Sequence, residues 1–150
     1  MQARVAILVA LWLSPAMIAN AAADPFTPPT PDAFLRGIKS YPYAAAAARR
    51  DRIRAGVPRL VRCMGWTEVR KLMGDPDFGI VAFRGGTGNT VPTRRLWTYI
   101  LEKPAATEAV QGSRVVLWLG NDFKLQAITI HGAPGLETNI SRRNQACPTP

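Results

Sequence analysis

One histidine, His131, and two cysteines, Cys63 and Cys147, are all the imidazole and thiol in this 150-residue chain. A metal centre gathers about three or four such ligands or carboxylates, so no metal is expected. A serine or cysteine nucleophile needs an imidazole beside it, and nothing near His131 in the sequence marks one. Acids are scarce as well, ten Asp and Glu against 19 Lys and Arg. They are scattered, and no pair marks the acid and base of glycoside chemistry. The stretch 85–89, GGTGN, lacks the Lys-Ser/Thr that follows a phosphate-cradling loop and opens no helix. It reads as a strand connection. No apolar run approaches the roughly 20 residues that cross a bilayer. No cofactor is expected, and the chain is not expected to be an enzyme; catalysis through Cys63 or His131 is the minor reading.

What is present begins with a leader. Residues 1–23 carry an early Arg4, an apolar run over 5–13, Pro15, and small residues ending in Ala21, Ala22 and Ala23. That is the pattern of a secretory signal peptide, cleaved before residue 24 or slightly earlier. The expected destination is the periplasm or the exterior, without a lipid anchor, because no cysteine sits at the cleavage point. Residues 24–31, DPFTPPTP, form a proline-rich linker; a proline-rich ligand for a partner is the alternative. One domain is expected over 32–147, with 148–150 as a tail.

Export bears on the two cysteines. An oxidising compartment and an even count favour a bridge between Cys63 and Cys147. The alternative is a thiolate nucleophile activated by Arg59, Arg62 and the nearby helix start. A bridge closing so long a loop contributes on the order of 4 kcal/mol on the loop-closure argument.

The period of the apolar residues gives the fold class. A short helical turn is expected near Asp32. A helix follows over 43–56, YAAAAARRDRIRAG, on alanine and arginine propensity, ended or kinked by Gly56 and Pro58. In WTEVRKLMGDP, residues 66–76, Thr67 is placed as the N-cap and Trp66 as the hydrophobic staple before it. Val69, Leu72 and Met73 then face a core, Gly74 stops the helix, and Pro76 prevents its continuation. From there the period becomes two. Strands are expected over 78–83, 95–102, 113–120 and 124–132, with a loop over 84–93 and a hairpin turn at Asn121 and Asp122. Helices followed by strands indicate α+β, with N-terminal helices packed on one face of a three- to four-stranded antiparallel meander.

Charge points to the partner. Only Arg4 of the basic residues lies within 1–23, so the remainder carries +8. An acidic protein or an anionic membrane surface is favoured over nucleic acid in an exported chain. Arg49, Arg50, Arg52, Arg54, Arg59 and Arg62 scatter around their helix and beyond it. They are either a solvated face whose stems cover apolar surface or a docking surface for an acidic partner. The candidate partner-binding residues are Arg49, Arg50, Arg52, Arg54, Arg94, Arg95 and Trp118, the last taken as an exposed aromatic of the sheet.

The succession of pieces resembles the small-protein A/outer-membrane lipoprotein A family, which includes BamE. Its "GMT-x-x-x-V-x-x-L-L-G-x-P" stretch is matched by CMGWTEVRKLMGDPD, with Met64, Thr67, Val69, Leu72, Met73, Gly74 and Pro76 in place. Its "W-x-Y" strand is matched by Trp97 and Tyr99, and its last hairpin by residues 115–130. The likeness spans about half the chain. Here Cys63-Met64-Gly65-Trp66 replaces the simple Gly-Met, residues 78–95 form a longer connection, and a lipidation cysteine is missing. The resemblance implies a non-catalytic periplasmic protein-binding domain in envelope or outer-membrane assembly or maintenance. The same fold resembles the repeat of β-lactamase inhibitory protein, which implies, alternatively, an inhibitor or immunity protein neutralising a hydrolase or toxin.

Overall fold

A computed structural model describes residues 26–84, 91–106, 111–138, 140 and 147. The segment 1–23, read from the sequence as a signal peptide, the GGTGN stretch and the tail 148–150 lie outside the described residues.

The first element is fixed by local chemistry. The Thr30 hydroxyl accepts the Ala33 N–H at 3.3 Å, Pro31 sits in the first turn, and Asp32 meets the positive end of the helix. This is α1, Pro31–Gly37. Next, Tyr43–Ala44 (β1) forms a two-residue strand, not the start of a helix. Tyr43 pairs with Lys103, and the Ala45 N–H donates to Leu101 O at 2.9 Å. Alanine's helix preference is small, and a free strand edge outweighs it here. Helix α2 therefore begins at Ala47 and runs to Gly56.

Gly56 does not end the helix by a left-handed turn; the chain continues as a 3-10 turn over Val57–Arg59. Its glycine is explained by packing, since a Cβ there would lie 2.8 Å from the Met73 sulfur.

Helix α3, Trp66–Met73, keeps the expected stop but not the expected start. Gly74 turns left-handed at φ 81° and its N–H donates to Arg70 O at 2.8 Å. At the other end Gly65, not Thr67, is the N-cap, and Trp66 is the first helical residue. The reason is tertiary. Cys63 N–H donates to Leu125 O, Leu125 N–H to Met64 O, and Trp66 N–H to Phe123 O, at 2.7, 2.9 and 3.1 Å. This stitching holds Gly65 extended against Lys124, so the helix can only begin immediately after it.

The strands are β2 (Phe78–Arg84), β3 (Val91–Lys103), β4 (Ser113–Leu119) and β5 (Leu125–His131). They form the antiparallel meander β2-β3-β4-β5. β1 continues the β2 side of β3 and makes the sheet five-stranded. β3 is longer than the period alone indicates. Val91 and Pro92 pair with Arg84 and Phe83, and the register shifts between Ala82 and Phe83, beside a proline that has no N–H to give.

The core lies between the sheet and the helices α2 and α3. Trp97, Tyr99, Leu101, Val115, Leu117 and Ile128 face Ile53, Val57, Val69 and Met73, and all are buried. The class is α+β, with α2 and α3 on one face of the meander. Phe78 is paired with Thr98 and so lies on the reverse face. There Phe34 of α1 meets it at 5.6 Å between ring centroids and meets Tyr43 at 5.7 Å.

Cys63 and Cys147 are bonded to each other across 84 residues. Cys63 is therefore not a free thiol.

Candidate functional site

Seven residues were singled out for partner binding, and the fold disperses them. Arg49 is turned inward. Its Nη2 lies 3.0 Å from an Asp77 carboxylate oxygen and donates to Asp75 O at 2.8 Å, and its guanidinium is 5.9 Å from the Tyr99 ring. Asp77 also accepts the buried Ile100 N–H at 2.6 Å. Burial pushes the Asp77 carboxyl above its ordinary range, and the Arg49 charge pulls it part of the way back. Burial, followed by the Asp77 charge, raises the Tyr43 hydroxyl; burial raises that of Tyr99. These groups join α2 to β2 and β3.

Arg52 is a cap. Its guanidinium donates to Arg70 O, Lys71 O and Leu72 O at 3.2, 3.0 and 3.3 Å, tying down the carbonyls at the end of α3. Arg50 makes a surface pair with Glu102 at 3.4 Å. Arg54 is exposed. Arg52→Ala is accordingly expected to cost about 1 kcal/mol in urea unfolding, and Arg54→Ala less than about 0.5 kcal/mol. Equal costs would return Arg52 to the status of a surface charge.

Arg94 and Arg95 are neighbours in β3 and therefore point to opposite faces. Arg94 leans towards the Trp118 ring, 6.0 Å away, on the reverse face. Trp118 is half-buried, not exposed, and its indole N–H donates to Thr129 Oγ1 at 3.0 Å. Arg95 stands on the helix-bearing face, 4.0 Å from the Phe123 ring centroid.

Around Arg95 lies a cleft of about 370 Å³, lined by Phe26, Pro28, Val81, Trp97 and Phe123. The proline-rich leader builds one wall. Read from the sequence as a linker, it is packed against the domain over 26–30. Phe26 meets Trp97 edge-on at 5.9 Å, with Arg70 over its other side at 3.9 Å. Pro29 O accepts the Gly79 N–H at 2.8 Å. Position 79 must be glycine for this contact, because a Cβ there would fall 2.3 Å from the Pro28 ring. Phe123 builds the other wall from a left-handed backbone, φ 57°, held by its N–H to Gly120 O at 3.0 Å.

No family model, curated protein or solved structure matches this chain. The cleft is therefore interpreted from its own geometry. It offers mostly apolar walls, the threonines Thr27 and Thr30, and one guanidinium. Among the described residues no three His, Cys, Asp or Glu side chains gather where a metal could bind, and His131 sits at the end of β5 opposite Arg114.

Sequence reading selected Arg95 but missed Phe26, Val81 and Phe123. Phe26 and Phe123 come from opposite ends of the domain, and only the folded sheet brings them near each other.

Proposed function

We propose that this chain is an exported, non-catalytic protein-binding domain, acting in the periplasm in envelope or outer-membrane assembly or maintenance. The observation that carries the reading is the open cleft at Arg95, where apolar walls and a cation stand together at the sheet edge. The leader pattern, the Cys63–Cys147 bridge and the resemblance of residues 63–77 to the BamE-like helix support it. The inhibitor or immunity reading uses the same surface against a hydrolase or toxin.

A tagged full-length chain expressed in a Gram-negative host tests this. We expect a periplasmic product whose new N-terminus is at or near residue 24, and capture of an acidic envelope protein under mild salt. Capture of a hydrolase or toxin favours the second reading. A product retained in the cytoplasm, or no protein partner, sinks both.

A further inference from the structure

We propose that the outer edge of β2 at Val81, together with the cleft beside it, takes an extended acidic peptide segment of the partner as an added strand. The proposal rests on the protein-binding reading and names what that surface binds.

Three large apolar side chains are exposed among the described residues: Val61, Ile80 and Val81. Two of them are neighbours on β2, at 39% and 40% exposure. Because their side chains alternate, Val81 lies on the cleft face and Ile80 on the reverse face. A single strand laid along β2 covers both.

The backbone is oriented for such an addition. Gly79 sends its N–H outward to Pro29 O. Residues two apart on an antiparallel strand share that orientation, so the backbone of Val81 also faces outward. No described strand lies beyond β2 at that point, since β2 pairs with β3 alone. The leader takes one bond from this edge and cannot extend the ladder, because Pro28, Pro29 and Pro31 have no N–H. An edge left in this state is a template for another chain.

The occupant's chemistry follows from charge. Arg95 lines the cleft beside the open edge, whereas Arg94 leans towards Trp118 of β4, away from it; Arg95 is in no ion pair among the described residues. The chain as a whole carries +9. A strand with an acidic residue on its cleft face therefore meets the Arg95 guanidinium. The cleft between Phe26 and Phe123 has room for one or two large apolar side chains from the same segment.

The test uses the disulfide-bonded chain and a fluorescein-labelled peptide of repeating Val-Val-Glu-Glu, which sets valine and glutamate on both faces of a strand. Fluorescence polarisation should show binding that weakens at least about tenfold in Val81→Pro and about fivefold in Arg95→Glu. It should be unchanged in Arg54→Glu. Should Val81→Pro fail to fold, hydrogen exchange on the unaltered protein decides: bound peptide should protect the Val81 amide. Equal binding of a peptide methylated on alternate amide nitrogens, or of its lysine-for-glutamate counterpart, overturns the proposal. So does a dimer that occupies the β2 edge and excludes the peptide, and so does laurate binding in the cleft with no peptide binding. An envelope partner captured equally well by V81P overturns the edge assignment and leaves the binding function standing. Peptide protection of Val81 without any envelope partner leaves the edge standing and removes the envelope role.

Discussion

Asp77→Ala is expected to lower stability by about 2–3 kcal/mol, and the melting temperature by roughly 10 °C. The carboxylate is nearly out of solvent, with a side-chain exposure of 10%, and does two things at once. One oxygen faces Arg49, and the other accepts the N–H of Ile100, a fully buried residue where β3 shifts register against β4. Alanine leaves the Ile100 N–H without its acceptor and Arg49 with Asp75 O alone. The Arg49 part of the cost is the smaller, because that side chain is 28% exposed and solvent screens it. Asp77→Asn separates the two roles, since the amide oxygen can still accept from Ile100. Because burial raises the Asp77 pKa above 3.8, its folded-state value lies above its unfolded one. The stability it contributes is complete below about pH 3.8 and declines as pH rises through the folded value. The asparagine variant, having no such titration, should gain on the unaltered protein between acid and neutral pH. Urea unfolding of all three proteins from pH 3.5 to pH 7 measures this. An Asp77 carboxyl that titrates below the ordinary range in carbon-detected NMR would reverse the sign.

This network also shows where sequence reading stops. The α3 helix was legible because its stop signals are local: Gly74 must turn left-handed and Pro76 cannot continue. Its start was misplaced because the deciding contacts come from Phe123, Lys124 and Leu125, more than fifty residues away. The β4–β5 hairpin was legible from alternation and a short polar turn. The first strand was not, since nothing in an alanine run announces that the end of β3 lies alongside.

Arginine follows the same division. The charges of Arg49 and Arg52 are plain in the sequence, yet their acceptors are Asp77 and the carbonyls at the end of α3. Both side chains are committed to the fold, which leaves on α2 the surface-paired Arg50 and the exposed Arg54. Arg94 and Arg95 form no ion pair among the described residues, and β3 sends them to opposite faces. The binding surface we propose therefore lies at the sheet edge and not on the helix, a choice that rests on the strand pairing and could not be read from composition.

Removing the disulfide by a Cys63→Ser, Cys147→Ser double substitution should cost about 4 kcal/mol, because it frees a loop of 84 residues in the unfolded chain. The native state loses something more specific. Cys63 sits in the left-handed region at φ 66°, a conformation that L-residues other than asparagine, aspartate and histidine seldom hold. It is held there by the bonds that stitch residues 63–66 to Leu125 and Phe123, and these do not involve sulfur. The tail has less support. Ile140 is buried in the core, and its carbonyl accepts the Ile128 N–H at 3.3 Å along the outer side of β5. Beyond it, the Cys147 sulfur lies 3.7 Å from Leu125 O. Without the bridge, the tail should open before the sheet does. Amide exchange at Ile128 should therefore quicken towards the rate of local opening, while Leu125, whose N–H is bonded to Met64 O, stays protected until global unfolding. If Ile128 and Leu125 exchange in step, the tail belongs to the same cooperative unit as the sheet and the bridge acts only on the unfolded chain. If reduced and oxidised protein melt at the same temperature, the bridge contributes neither effect.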